Sequence, residues 1–109
     1  MLKKFKCHSE AVDLYKSCKK IKLRAFLKDQ LLRASSSVAL NLGEGSGRRT
    51  QKDRLRHYNI AFASLREVQS ICELEDLEDI AKKADQLAAM IFAMNRRLTE
   101  AAHRPRNRN

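Results

Sequence analysis

All three glycines of this 109-residue chain, Gly43, Gly45 and Gly47, fall within five residues. Glycine is the residue that turns a chain sharply at least steric cost. The text on both sides of the window reads as helix, so the chain has one glycine joint between two helices. The upstream helix carries Leu27, Leu31, Ala34, Val38 and Leu42 at steps of 3 and 4, the spacing of one helix face. Glycine is the easiest residue to place in a left-handed helix cap. This helix is therefore expected to end at Gly43 or Gly45 in that conformation. Its middle, Ser35-Ser36-Ser37, is poor helix former, but such small side chains let a neighbour approach closely.

The other helices follow from the same periodicity. Leu77, Ile80, Ala84, Leu87, Ile91, Met94 and Leu98 form a heptad seam. The seam predicts a helix from about Leu77 to Ala102, with Asp76 as its N-cap and Pro105 beyond its end. Downstream of the glycines, Thr50 and Asp53 resemble a capping box. Leu55, Tyr58, Phe62, Leu65 and Val68 then lead to Cys72, with ELED as the following turn. A first helix from about His8 to Lys20 puts Ala11, Leu14, Tyr15 and Cys18 on one face. Tyr15, Tyr58 and Phe62 are assigned to the core. No segment alternates with the period of two that a strand requires. The expected fold is all-α, an antiparallel up-down four-helix bundle over residues 1–102, followed by a flexible basic tail over residues 103–109.

Net charge narrows the partners. The chain carries +10, from 23 Lys/Arg and 13 Asp/Glu. Residues 1–28 hold nine of the basic residues and only two of the acidic ones. Such a field favours polyanions. Lys16, Lys19 and Lys20 share a helix face by i, i+3, i+4 spacing, and Lys22 and Arg24 follow. A second cluster, Arg48, Arg49, Lys52, Arg54 and Arg56, surrounds the joint. These ten residues are the candidate nucleic-acid contacts. Neither cluster is interleaved with aromatics expected to be exposed, so contact is expected to be phosphate-led and salt-sensitive rather than base-stacking.

Several chemistries find little support. Cys7, Cys18 and Cys72 are odd in number and lack CxxC spacing, which points to a reducing, cytoplasmic setting. His8, His57 and His103 make no metal spacing with them. No apolar run reaches transmembrane length. GEGSGRR lacks the Lys-Ser/Thr of a P-loop, so nucleotide binding at the joint ranks lowest. No metal, cofactor or catalytic residue is expected.

Residues 33–65 carry a resemblance. Arg33-Ala34, Ser37-Val38, Asn41-Leu42, Glu44-Gly45 and Arg48 form one block; Asp53, Ile60-Ala61, Ser64-Leu65 and Glu67 form a second. Together they resemble the small bacterial four-helix bundle proteins encoded in intervening sequences of 23S ribosomal RNA genes. Phe62 and Ala63 stand where that family more often has a basic residue and a glycine, and Gly43 replaces a more usual alanine. The resemblance implies a bundle and, for relatives, a ring of five subunits. It also implies kinship with the basic accessory proteins of diversity-generating retroelements, which associate with a reverse transcriptase and nucleic acid. It implies no enzymatic activity.

Beside that resemblance, the residues themselves suggest that Glu44 and Arg48 pair across the turn, while Asn41 bonds a free carbonyl at the same helix end. Arg33, Asn41, Glu44, Gly45 and Arg48 are thus expected to be structural. The expected function is non-enzymatic association with RNA or DNA as a homo-oligomer, most simply a pentamer, without a membrane. The alternative is an adaptor for a protein partner such as a reverse transcriptase.

Overall fold

The computed structural model describes residues 5–103. They form four helices, α1 (Lys6–Lys19), α2 (Ala25–Ser46), α3 (Gln51–Glu75) and α4 (Glu78–His103), with no strand among the described residues. In sequence order the helices pack around a common core, α1 on α2, α2 on α3, α3 on α4 and α4 back on α1. Between α2 and α3, Arg33 meets Glu67, Ser37 meets Ser64, and Asn41 meets His57. Partner numbers fall on one helix as they rise on the other. The same holds between α3 and α4, where Asn59 meets Asn95 and Gln69 meets Asp85.

The core is the aliphatic stripe that the periodicity indicates. Leu14, Leu31, Val38, Leu42, Leu65, Val68, Leu87 and Ile91 are almost wholly buried. Tyr58 is buried as expected, but Tyr15 and Phe62 are only half-buried. Lys19 Nζ lies 5.7 Å above the Tyr15 ring, so that ring serves as an outer wall with one face toward a cation. Ser35 is fully buried, and its hydroxyl donates to the Leu31 carbonyl at 2.7 Å. Its small volume admits α1, and the back-bond satisfies the hydroxyl that burial would otherwise strand.

Three expectations about helix ends fail. α2 does not stop at Gly43 or Gly45; it runs through both to Ser46. Its cap, Gly47, has φ −91°, and no glycine has positive φ among the described residues. The left-handed residue is instead Asp76, at φ 54°. Asp76 caps the C-terminus of α3 and is not an N-cap of α4. The Leu77 N–H donates to the Cys72 carbonyl at 3.0 Å, a Schellman-like closure. Aspartate tolerates this conformation better than most non-glycine residues. The Leu77 carbonyl then accepts from Ala81 N–H at 2.9 Å and opens α4. α4 continues through His103, one residue past the expected boundary; the remainder of the expected tail lies outside the described residues.

Candidate nucleic-acid interface

The site starts from why α2 ends where it does. A Cβ at Gly45 would stand 2.6 Å from Cε1 of Tyr58 and 3.1 Å from Cβ of His57. Gly45 is therefore required for close approach of α3, not for a left-handed turn. Removing the side chain seats the Tyr58 ring against α2, and that ring meets Phe5 with centroids 5.9 Å apart. Gly47 has only the Glu44 carbonyl within reach, at 3.7 Å.

The joint is held by side chains on both sides. Arg48 donates to the Glu44 carboxylate at 2.7 Å, the pair expected from the sequence. Arg54 Nε donates to the Arg48 carbonyl at 2.8 Å, and Ser46 Oγ to the Gly43 carbonyl at 2.8 Å. Thr50 Oγ1 accepts from Asp53 N–H at 3.1 Å and caps α3. Asn41 departs from expectation. Its amide donates to the carbonyl and hydroxyl oxygens of Ser37, at 3.0 and 3.2 Å, one turn back inside α2. Ser37 is in turn 2.8 Å from the Ser64 hydroxyl, and the Asn41 oxygen accepts from His57 Nδ1 at 3.3 Å. Asn41 is thus a cross-helix polar anchor, not a cap. Arg33 serves the same interface through Glu67 at 2.6 Å.

The ten candidate contacts divide between opposite ends of the bundle. Arg48, Arg49, Lys52, Arg54 and Arg56 lie where α2 ends and α3 begins. Lys16, Lys19, Lys20, Lys22 and Arg24 lie where α1 ends and α2 begins. The 22 residues of α2 separate the ends by about 33 Å at 1.5 Å per residue.

At the joint end, Arg49, Lys52 and Arg56 are exposed and make no ion pair among the described residues; Arg49 lies just before α3, and Lys52 and Arg56 share one face of it at i, i+4 spacing. Arg54 is half-buried and committed to the joint. The sequence reading missed Arg97. It lines a groove with Arg54, Tyr58 and Met94 where the end of α4 lies beside the start of α3. The contact between the end of α4 and the start of α3 brings these residues together, although Arg54 and Arg97 are 43 positions apart.

At the other end the five basic residues are exposed too. They too make no ion pair among the described residues, and the acidic connection between α3 and α4 reaches them through Asp79. Lys20 and Asp79 line one groove, and Lys83 bridges Asp13 at 2.9 Å and Ser17 at 2.7 Å. Lys28 is spent on the end of α1, donating to the Lys19 carbonyl at 2.9 Å and to the Ile21 carbonyl. Phe26 stands 60% exposed between Arg24 and Lys28, so the expectation that no exposed aromatic is interleaved with the basic residues fails here.

A family model described as 23S rRNA-intervening sequence protein matches residues 3–100. The chain belongs to this family. The match extends beyond the two middle helices that carry the sequence resemblance and takes in α1 and most of α4. Comparisons with curated proteins and with solved structures give no match. In this member of the intervening-sequence family, Arg33, Asn41, Glu44, Gly45 and Arg48 all act on the α2/α3 packing or the turn. Each has an intramolecular partner or a steric reason.

Other chemistry is sparse. Burial pushes the Cys7 and Cys18 thiols up, and it raises Cys72 to about 11. A thiol kept protonated is a poor nucleophile and a poor metal ligand. Among the described residues no three His, Cys, Asp or Glu side chains converge on a metal-sized space, and no helix is long and apolar enough to cross a membrane.

Proposed function

We propose that the chain is a non-enzymatic, oligomeric bundle protein that associates with RNA or DNA through the basic end at the glycine joint. The observation that carries this reading is the group Arg49, Lys52 and Arg56, exposed at and just before the start of α3 and without ion-pair partners among the described residues. Unpaired guanidinium and ammonium groups keep their full attraction for phosphate, and binding releases the counterions condensed on the nucleic acid. Nothing about this group reads base edges, so affinity follows phosphate density rather than sequence.

The falling partner numbers between α2 and α3, and between α3 and α4, support an antiparallel up-down bundle. Its narrow apolar stripes are consistent with burial completed by further copies, here a homopentamer in the cytoplasm, as the family resemblance implies. Kinship with retroelement accessory proteins adds a reverse transcriptase as the protein partner to test.

An electrophoretic mobility assay at low salt tests the central point. Structured RNA and duplex DNA of unrelated sequence are both expected to shift, and both shifts should weaken as salt is raised. Absence of a shift with either would overturn the reading.

A further inference from the structure

Five large hydrophobic side chains are exposed among the described residues: Phe26, Leu40, Ile60, Leu74 and Phe92, at 60, 70, 44, 71 and 58%. Four follow one pattern. Phe26, Arg33 and Leu40 are spaced by heptads on α2, and Ile60, Glu67 and Leu74 by heptads on α3. The 2.6 Å Arg33–Glu67 pair sets the register. It places Leu40 beside Ile60 on the joint side of the ion pair and Phe26 beside Leu74 on the other, each about 10 Å along the helix axis. The outer face of α2/α3 is thus a ridge with an ion pair at its centre and an apolar patch at each end.

Phe92 lies on the next face. Its ring packs on Phe62 with centroids 6.3 Å apart, and the α3/α4 groove around them includes Asn59, Asn95 and the Arg96–Glu100 pair at 3.3 Å. Phe62 is two residues from Ile60 on α3, so the aromatic pair and the Leu40/Ile60 patch sit at the same height on the bundle.

We propose that the Leu40/Ile60 patch of one copy of this chain docks on the Phe62/Phe92 face of a second copy. This rests on the oligomeric reading above and names the surfaces that build the oligomer. Two features favour a copy of the chain as the occupant. The first is charge: a chain of +10 repels its copies, so close contact needs faces where charge cancels. Arg33 is neutralised by Glu67 on one face and Arg96 by Glu100 on the other, whereas a polyanion is better served by the unpaired arginines at the joint. The second is that the chain carries both halves at one height. With the helices in the order α1, α2, α3, α4 around the core, the two faces adjoin across α3, roughly a quarter turn apart. Contact between two different faces is heterologous, and it closes into a small ring when the rotation per copy allows. The apolar area removed from water at each contact drives association.

Light scattering on the full chain tests this. Leu40→Glu and Phe92→Glu should each reduce the oligomeric mass to that of a monomer. Leu74→Glu, on the same ridge but beyond the contact, should leave it unchanged. Mixed at high concentration, the Leu40→Glu and Phe92→Glu chains should form one-to-one dimers and nothing larger, because each keeps one intact face. Both positions are exposed, and circular dichroism checks that the variants stay helical; Leu40→Ala and Phe92→Ala replace any that do not. An oligomer unmoved by either variant, or two variants that remain monomers when mixed, would overturn the assignment of faces. A wild-type chain that is itself a monomer would overturn the oligomeric reading beneath it.

Discussion

The two ends of the bundle are built from similar numbers of basic residues and differ in what surrounds them. At the end with the α1/α2 connection, Lys20 shares a groove with Asp79, and Lys28 and Lys83 are engaged with protein oxygens. At the joint end, Glu44 and Glu100 are already paired with arginines, and Arg49, Lys52 and Arg56 make no ion pair among the described residues. Counted along the chain, the basic excess belongs to the first 28 residues. We propose that folding shifts the effective field toward the opposite end, because the α3/α4 connection brings Asp79 beside Lys20. The field at a surface is set by what the fold brings near it, not by the sequence neighbourhood.

The ends also differ mechanically. The joint has a hydroxyl cap, an ion pair, a guanidinium on a carbonyl and a glycine cut to fit a tyrosine. At the other end Lys28 holds the Lys19 and Ile21 carbonyls, but the start of α2 has no hydroxyl cap. Arg24 makes no side-chain cap bond, and Asp76 holds a left-handed conformation.

The largest expected effect separates the basic clusters. Reversing Arg49, Lys52 and Arg56 to Glu together should weaken nucleic-acid binding on the order of a hundredfold at low salt, about 2.7 kcal/mol. Reversing Lys16, Lys19 and Lys20 should cost less than about fivefold by the same titration. Equal losses would erase the distinction between the ends.

Next in size is the mechanical contrast. Gly45→Ala drives a methyl into the Tyr58 ring and should cost about 1–3 kcal/mol in urea unfolding. Gly47→Ala, with only an ordinary contact to the Glu44 carbonyl and φ −91°, should leave stability within about 0.5 kcal/mol. At the other end, Asp76→Gly should stabilise by up to about 1 kcal/mol, since it relieves a left-handed non-glycine residue. A loss there would mean that the aspartate side chain makes a compensating contact.

The smallest effect at neutral pH concerns Cys72, whose thiol burial raises from 9.0 to about 11. The folded state disfavours the thiolate, so this contribution is complete below pH 9 and is lost as pH rises from about 9 to about 11. Urea midpoints should fall over that window, and Cys72→Ala should flatten part of the fall. An unchanged slope would mean that the thiol is no better shielded folded than unfolded.

The helices were legible because their apolar residues repeat at helical spacing. The stripes from Leu27 to Leu42 and from Ile80 to Leu98 both line the core. The capped start of α3 at Thr50 and the Glu44–Arg48 pair were legible for the same local reason. What escaped was non-local. Gly45 invites a turn when read alone, and only the Tyr58 ring across the interface explains it. Asp76 reads equally well as an N-cap of α4 or a C-cap of α3, and the Cys72 carbonyl decides. Asn95 is buried on the α4 seam and donates to Asn59 at 3.1 Å, but its polarity hid it from an apolar pattern. Arg97 joined the candidate interface only when α4 returned beside α3. The weighting of the two basic clusters needed the packing of all four helices.

The central claim is that phosphate contact is made at the joint end. The salt dependence of binding to one duplex tests it most directly, comparing the wild-type chain with the two triple reversals. Each lost phosphate contact lowers the slope of log K against log salt by about 0.9. The Arg49, Lys52 and Arg56 variant is predicted to lose about 2 to 3 from that slope, and the Lys16, Lys19 and Lys20 variant to keep nearly all of it. A slope lost with the lysines and kept without the arginines would contradict the account.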